Sequence, residues 1–226
     1  MVSEKQVIRT PAVEDYAKAI YALEDRAEGA VGNNALAERL GVTPASASGM
    51  VKKLGDLGLV RHVPYRGVQL TTEGRELALE VLRHHRLLEL YLAESLGVPW
   101  DRVHDEAEVL EHVLSEELEE LIAGKLGNPT RDPHGDPIPT VDGRVPEQPT
   151  ERLDDLPVGA RGRFARVSDS DPEMLRYLAD RGVRPGHDLE IVDRQPFDGP
   201  LSVRFGEAVH VLGGGLAKAM RVEVGE

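Results

Sequence analysis

Residues 36–54 read LAERLGVTPASASGMVKKL. A short amphipathic segment stops at Gly41, a residue that ends helices readily. Thr43 then offers an N-cap and Pro44 suits the first position of a new helix. That helix opens on small polar residues and closes on an apolar stripe. Upstream, VEDYAKAIYALEDRA carries Val13, Tyr16, Ile20 and Leu23 at helical spacing. Downstream of Gly58, LVRHVPYRGVQLT alternates about Pro64-Tyr65-Arg66-Gly67, which predicts a β-hairpin. Helix, helix, turn, helix and hairpin is the order of a winged helix-turn-helix.

Reading helices of this kind enter the major groove by their first residues. Here those are Thr43, Ala45, Ser46, Ser48 and Gly49. Their small side chains let the backbone approach DNA, hydroxyls can bond phosphates or base edges, and methyl groups can meet thymine. Lys52, Lys53 and the wing residue Arg66 are the expected phosphate contacts. With few long side chains to read base edges, direct readout should be modest and DNA shape should contribute. The bland reading is a three-helix packing unit without a ligand.

Composition narrows the field. The 226 residues hold 27 basic and 40 acidic side chains, a formal net charge of −13. Such a polyanion repels nucleic acid except at a local basic site. Cysteine is absent, which removes disulfides, thiolate metal sites and thiol catalysis. The first residues lack an apolar leader and no run is long enough to span a membrane, so a cytoplasmic protein with no membrane partner is expected.

The rest of the chain falls into two blocks. Residues 71–126 read as helix again, with Thr72 as a cap for a long segment and a second helix from about Pro99 to Leu126. NPTRDPHGDPIPTVDGRVPEQPT (residues 128–150), dense in Pro, Gly and Asp, is expected to be a surface connector. From about residue 150 the chain is β-rich: short alternating strands split by Gly and Pro, with one short helix, PEMLRYLADRG, as in small barrels. The expected class is mainly α with a β-rich C-terminal domain, divided at 1–75, 76–147 and 148–226.

The helical block carries the chemistry. In DEAEVLEHVLSEELEEL (residues 105–121), Glu108, Glu111 and His112 stand at i, i+3 and i+4, one helical face. His104 lies a turn earlier. RHHRLLEL adds His85 and Glu89 at i and i+4, while His84 should point elsewhere. Oxygen and imidazole donors without sulfur suit Mn²⁺ or Fe²⁺ over Cu⁺ or structural zinc. Asp15, on the first helix, is a candidate distant ligand. A lone cluster of this kind is more often a solvated face, but a second one at ligand spacing argues for metal. His62, His134, His187 and His210 show no partner spacing and read as ordinary surface or structural histidines.

Taken together, VEDYAKAIYALED, LAERLGVTPASASGMVKKLGDLGLV, RHHRLLE, PWDRVHDEAEVLEHVLSEELE and NPTRDPHGDPIP resemble the diphtheria-toxin-repressor family of metal-dependent transcriptional regulators over nearly the whole chain. The resemblance implies a winged helix-turn-helix, a helical dimerisation domain and an SH3-like (FeoA-like) C-terminal domain. It implies a primary metal site on Asp15, Glu108, Glu111 and His112 and an ancillary site on His85, Glu89 and His104, with Asp169 or Asp171 as a further ancillary ligand. Iron-sensing members carry Met and Cys where this chain has Asp15 and Glu108. Oxygen at both places is similar to the manganese-sensing branch. Small two-domain manganese regulators place a Glu one turn after the Asp; Lys18 stands there, which favours two separated metals over a close binuclear pair.

The resemblance therefore implies a manganese-dependent repressor of palindromic operator DNA, acting as a homodimer without an organic cofactor, with Co²⁺ or Cd²⁺ as substitutes in vitro. An iron(II)-dependent repressor is the nearest rival. A carboxylate–histidine metalloenzyme is a weaker one, because matched Glu-x-x-His motifs on other helices, a phosphate loop and a nucleophile elbow are all missing. A metal-independent DNA-binding dimer is a third. The leucines and valines at 87, 88, 90, 92, 109, 110, 113 and 114, mostly expected to fill the core, leave some surface for a dimer that Trp100 could anchor. Without metal the crowded carboxylates are expected to repel and to leave the first helix loose.

Overall fold

The computed structural model describes residues 9–27, 29–146, 149–197 and 199–225. Two compact units emerge. One runs to His84 and takes in Glu111–Leu114 and Pro139–Arg144; the other holds His85–Leu110, Ser115–Ile138 and Val145 onward.

In the first unit, α1 (Pro11–Ala27), α2 (Asn33–Arg39) and α3 (Pro44–Asp56) precede the antiparallel hairpin β1 (Val60–Val63) and β2 (Gly67–Leu70), and α4 (Thr72–Leu96) begins. Val13, Tyr16, Ala17 and Ile20 of α1 share one core with Leu36, Ala47, Val51 and Leu54. The apolar stripe read from the sequence is thus the inward face of three packed helices. Thr43 caps α3, its Oγ1 accepting from Ser46 N at 3.1 Å. The cap of α4 is Thr71 rather than the expected Thr72: Thr71 Oγ1 accepts from Gly74 N at 3.1 Å. Gly74 also lets this helix start close against the wing, since a Cβ there would sit 2.0 Å from Leu59 O.

In the second unit, α5 (Val103–Leu110) and α6 (Glu116–Lys125) replace the single helix expected over residues 99–126. α5 ends at Leu110 and a turn follows over 111–113; Ser115, with an extended backbone, then starts α6, its side chain accepting from Leu118 N at 3.3 Å. Glu116, Glu117 and Glu119 then place negative charge in the first turn, where the helix dipole favours it. Glu111 and His112 consequently lie on a turn beyond α5, not on a continuous helical face.

The C-terminal part forms a six-stranded antiparallel sheet. Its strands are β3 (Glu151–Arg152), β4 (Arg161–Val167), β5 (Asp188–Arg194), β6 (Leu201–Phe205), β7 (Ala208–Leu212) and β8 (Met220–Val224), ordered β3-β8-β4-β5-β6-β7. With α7 (Pro172–Ala179) and α8 (Gly214–Ala219) it encloses a core of Phe164, Leu175, Leu178, Ile191, Leu201, Val203 and Met220. Trp100 is buried in that same core and stacks on His134, so it does not anchor an exposed surface.

The Pro-rich stretch also departs from expectation: Asp132, His134 and Ile138 are buried. It can leave the surface because it satisfies its own backbone. Asp132 accepts from His134 N at 2.8 Å and Asp136 N at 2.9 Å, and Asp132 N donates to Asp136 O at 3.0 Å. Gly135 turns with φ +90°, and a Cβ there would meet Ala165 O at 2.0 Å. Among the described residues no helix is long and apolar enough to cross a membrane.

Candidate metal centres and nucleic-acid interface

The residues expected to contact DNA sit at α3 and on the turn between β1 and β2. Thr43, Ala45, Ser46, Ser48, Gly49, Lys52, Lys53 and Arg66 are all exposed, while Ala47, Val51 and Leu54 of the same helix face the core. Asn33 Nδ2 donates to Pro44 O at 2.8 Å and to Ser48 Oγ at 2.9 Å, tying α2 to the start of α3. That bond fixes the angle between the two helices of the reading head.

In the first unit, ligand atoms of Asp15, Glu111 and His112 all lie within 4.8 Å of one another. His112 Nε2 stands 3.1 Å from Asp15 Oδ1 and 3.7 Å from Glu111 Oε1. A cation with bonds of roughly 2.2 Å separates adjacent octahedral ligands by about 3 Å and opposite ones by about 4.4 Å. Two carboxylates and an imidazole at these spacings fit a hard or borderline divalent cation.

Three neighbours that the sequence reading did not assign complete this cluster. His112 Nδ1 donates to Glu14 Oε2 at 2.6 Å. This fixes the tautomer and leaves Nε2 to face Asp15, the arrangement by which carboxylates orient metal-binding imidazoles. His84 Nδ1 lies 3.2 Å from Glu111 O, steadying the turn that carries Glu111. Lys18 Nζ donates to Glu111 Oε1 at 2.6 Å. His112 and Lys18 thus face the carboxylates of Asp15 and Glu111.

In the second unit, His85, Glu89, His104 and Asp169 converge. His85 Nε2 lies 3.1 Å from both Glu89 Oε1 and His104 Nδ1; His104 Nδ1 lies 3.4 Å from Asp169 Oδ2. Asp171 does something else. Its carboxylate caps α7, accepting from Glu173 N at 2.9 Å and Met174 N at 3.4 Å. Glu108 faces His104, with Oε1 3.8 Å from Nε2.

Glu89 belongs to a further cluster with Asp132 and His134, all three buried. His134 was passed over in the sequence because no helical spacing links it to Glu89; only the buried loop brings them together. His134 Nε2 meets Trp100 O at 2.8 Å, and its buried Nδ1 has Glu89 Oε2 at 3.7 Å, beyond hydrogen-bond length. Burial works to raise the Glu89 carboxyl, yet His104, His134 and His85 hold it well below the usual range. Burial opposes charge on His134, but the Glu89 carboxylate outweighs it and pushes the imidazole up to about 9. Hydrogen bonding to Glu89 likewise raises His104. Burial pushes Asp132 well up. Carboxylates and imidazoles enclosed this way are donors for a hard cation that would displace protons on binding.

An exposed reading helix and hard-donor clusters in one chain are the parts of a metal-regulated DNA-binding protein. The comparisons give the family. Residues 10–68 match the iron dependent repressor N-terminal DNA binding domain, 71–140 its metal binding and dimerisation domain, and 151–224 the FeoA domain. The chain is 36% identical to the diphtheria toxin repressor of Corynebacterium efficiens, covering 93% of this chain and 94% of the relative. It is 34% identical to the iron-dependent repressor IdeR of Mycobacterium leprae, over 93% and 96%. A solved manganese-dependent transcriptional repressor in complex with manganese is 44% identical, covers 94% of this chain and 99% of its own, and superposes with a TM-score of 0.86. The chain belongs to the iron-dependent repressor family, and the C-terminal sheet is its FeoA domain.

Proposed function

We propose that this protein is a manganese-responsive repressor that binds palindromic operator DNA as a homodimer in the cytoplasm. The observation that carries the reading is the placement of Asp15. It stands on α1, whose inner face packs against both helices of the reading head, and its Oδ1 lies 3.1 Å from His112 Nε2. Asp15, Glu111 and His112 would hold the cation of the primary site, with Glu108 as the remaining ligand of the expected set. A divalent ion there supplies the charge that keeps these carboxylates and the imidazole together. Asp15 then pins α1 to the Glu111–Leu114 turn, and α1 in turn holds α3 through Val13, Ala17 and Ile20. A reading head fixed in this way loses less freedom on binding DNA, which is the coupling between metal and operator.

Manganese is favoured over iron by oxygen at Asp15 and by the absence of cysteine. The resemblance to a manganese-bound repressor supports the same choice, while the relatives named above are an iron-dependent repressor and a diphtheria toxin repressor. His85, Glu89, His104 and Asp169 form the ancillary site of this proposal, and Asp132 and His134 extend its donor set around Glu89. The role is regulatory rather than catalytic.

Footprinting on operator DNA selected in vitro, with Mn²⁺, with Fe²⁺ under anaerobic conditions and with chelator, tests this directly. Protection should appear with Mn²⁺ and vanish with chelator. Equal protection in chelator would refute metal control, and stronger protection with Fe²⁺ than with Mn²⁺ would transfer the protein to iron sensing.

A further inference from the structure

Lys18 follows Asp15 by one turn of α1, and its ammonium reaches into the primary cluster. Nζ lies 2.6 Å from Glu111 Oε1, with side chains only 15% and 0% exposed. That same Oε1 faces His112 Nε2 at 3.7 Å. A carboxylate shut away from water is costly unless a positive charge accompanies it. Lys18 supplies that charge to Glu111, and it does so on the oxygen that also faces His112. An ammonium hydrogen bond and a metal bond draw on the same electron density, so filling the site is an exchange of cations at one oxygen.

We infer that Lys18 is a tethered counter-cation that occupies Glu111 Oε1 until a divalent ion displaces it, and that it thereby sets the metal concentration at which the primary site fills. The inference rests on the reading of Asp15, Glu111 and His112 as that site. Lysine suits the task because its charge is compact and its four-carbon stem is flexible, so the ammonium can leave the carboxylate without moving the helix. Because the ammonium opposes every divalent cation by the same charge, Lys18 governs the threshold of the response and not the identity of the metal.

The test titrates Mn²⁺ and Co²⁺ against a competing fluorescent chelator in wild-type protein and in the Lys18→Met, Lys18→Arg and Asp15→Ala variants. Lys18→Met keeps the length and removes the charge. It should bind both metals about tenfold more tightly or better, the scale on which a neighbouring charge acts at a carboxylate, with their ratio unchanged. Lys18→Arg should stay near wild type. Unchanged or weaker binding by Lys18→Met, or a change confined to one metal, overturns the inference. A second measurement needs no variant: lysine acylation of wild-type protein followed by peptide mass spectrometry. Lys18 should react faster with saturating Mn²⁺ than without it, and equal protection in both states overturns the exchange. If Asp15→Ala binds Mn²⁺ at the wild-type stoichiometry and affinity, the parent reading of the site fails instead; if that binding is lost while Lys18→Met is unchanged, only the role of Lys18 fails.

Discussion

Glu14 Oε2 accepts a hydrogen bond from His112 Nδ1 at 2.6 Å, between a residue on α1 and one 98 positions later in the chain. The bond commits the imidazole to one tautomer and turns Nε2 toward Asp15. Losing such an orienting carboxylate typically costs 10- to 100-fold in metal affinity. Glu14→Ala should therefore weaken Mn²⁺ binding by roughly tenfold or more. Glu14→Gln, whose amide oxygen can still accept from Nδ1, should cost less. Chelator competition ranks the two, and equal losses would show that charge rather than orientation matters at this position.

The donor types at Asp15 and Glu108 make a separate prediction. Replacing Asp15 with Met and Glu108 with Cys exchanges hard oxygen for soft sulfur, which favours Fe²⁺ over Mn²⁺. The double variant should shift activation of operator binding toward Fe²⁺ in anaerobic fluorescence anisotropy. An unmoved preference would mean that selection lies in the geometry that His112 and Glu111 impose.

Local rules made much of this molecule legible. Thr43-Pro44 and the Gly41 stop predicted α3 because capping and turn chemistry act within a few residues. The donors Asp15, Glu111, His112, His85, Glu89 and His104 were legible as types. Three things escaped. The break between Leu110 and Glu116 was hidden because Val113 and Leu114 continue the apolar period straight through it. Glu14 has no spacing that marks it, and Lys18 reads only as a departure from the Glu of two-domain relatives; tertiary packing is what turns them onto His112 and Glu111. Asp132 and His134 lie in a run of Pro and Gly that reads as surface; the self-paired backbone that allows its burial is not a periodic pattern.

The buried histidine cluster sets a pH dependence. His134 titrates at about 9 in the folded chain, against about 6.5 when unfolded. Its contribution to stability is complete below about pH 6.5 and is lost as pH rises through 9. Asp132, whose carboxyl is pushed up by burial, acts in the same direction, because the unfolded chain releases that proton more readily. Glu89 is held down, so its contribution is present above its unfolded value near 4.5 and is lost in acid. Metal-free protein should thus be most stable near pH 5–6.5 and should weaken toward pH 9 by an amount on the order of 2–4 kcal/mol. Urea unfolding at pH 6, 7.5 and 9 measures the slope, and His134→Gln should flatten its alkaline limb. A flat profile in the parent protein would contradict the charged state assigned to His134.

The dimer can be tested on side chains that the single chain leaves in water. Leu87, Leu88, Leu90 and Leu92 are buried within one chain, but Val109, Val113 and Leu121 are 70%, 77% and 64% exposed. Exposed aliphatic side chains in the segment matched to a metal binding and dimerisation domain are expected to be covered by a second copy. Introducing charge there leaves little to destabilise in the monomer: surface substitutions usually change stability by within about 0.5 kcal/mol. At an interface the same charge is buried without a partner and costs several kcal/mol. Val109→Asp and Leu121→Asp should therefore convert the protein to monomer in sedimentation experiments while circular dichroism is unchanged. Each monomeric variant should still bind Mn²⁺ but protect one half-site of the operator poorly, since two reading heads at fixed spacing are needed for a palindrome. A dimer that survives both substitutions would place the interface elsewhere on the chain.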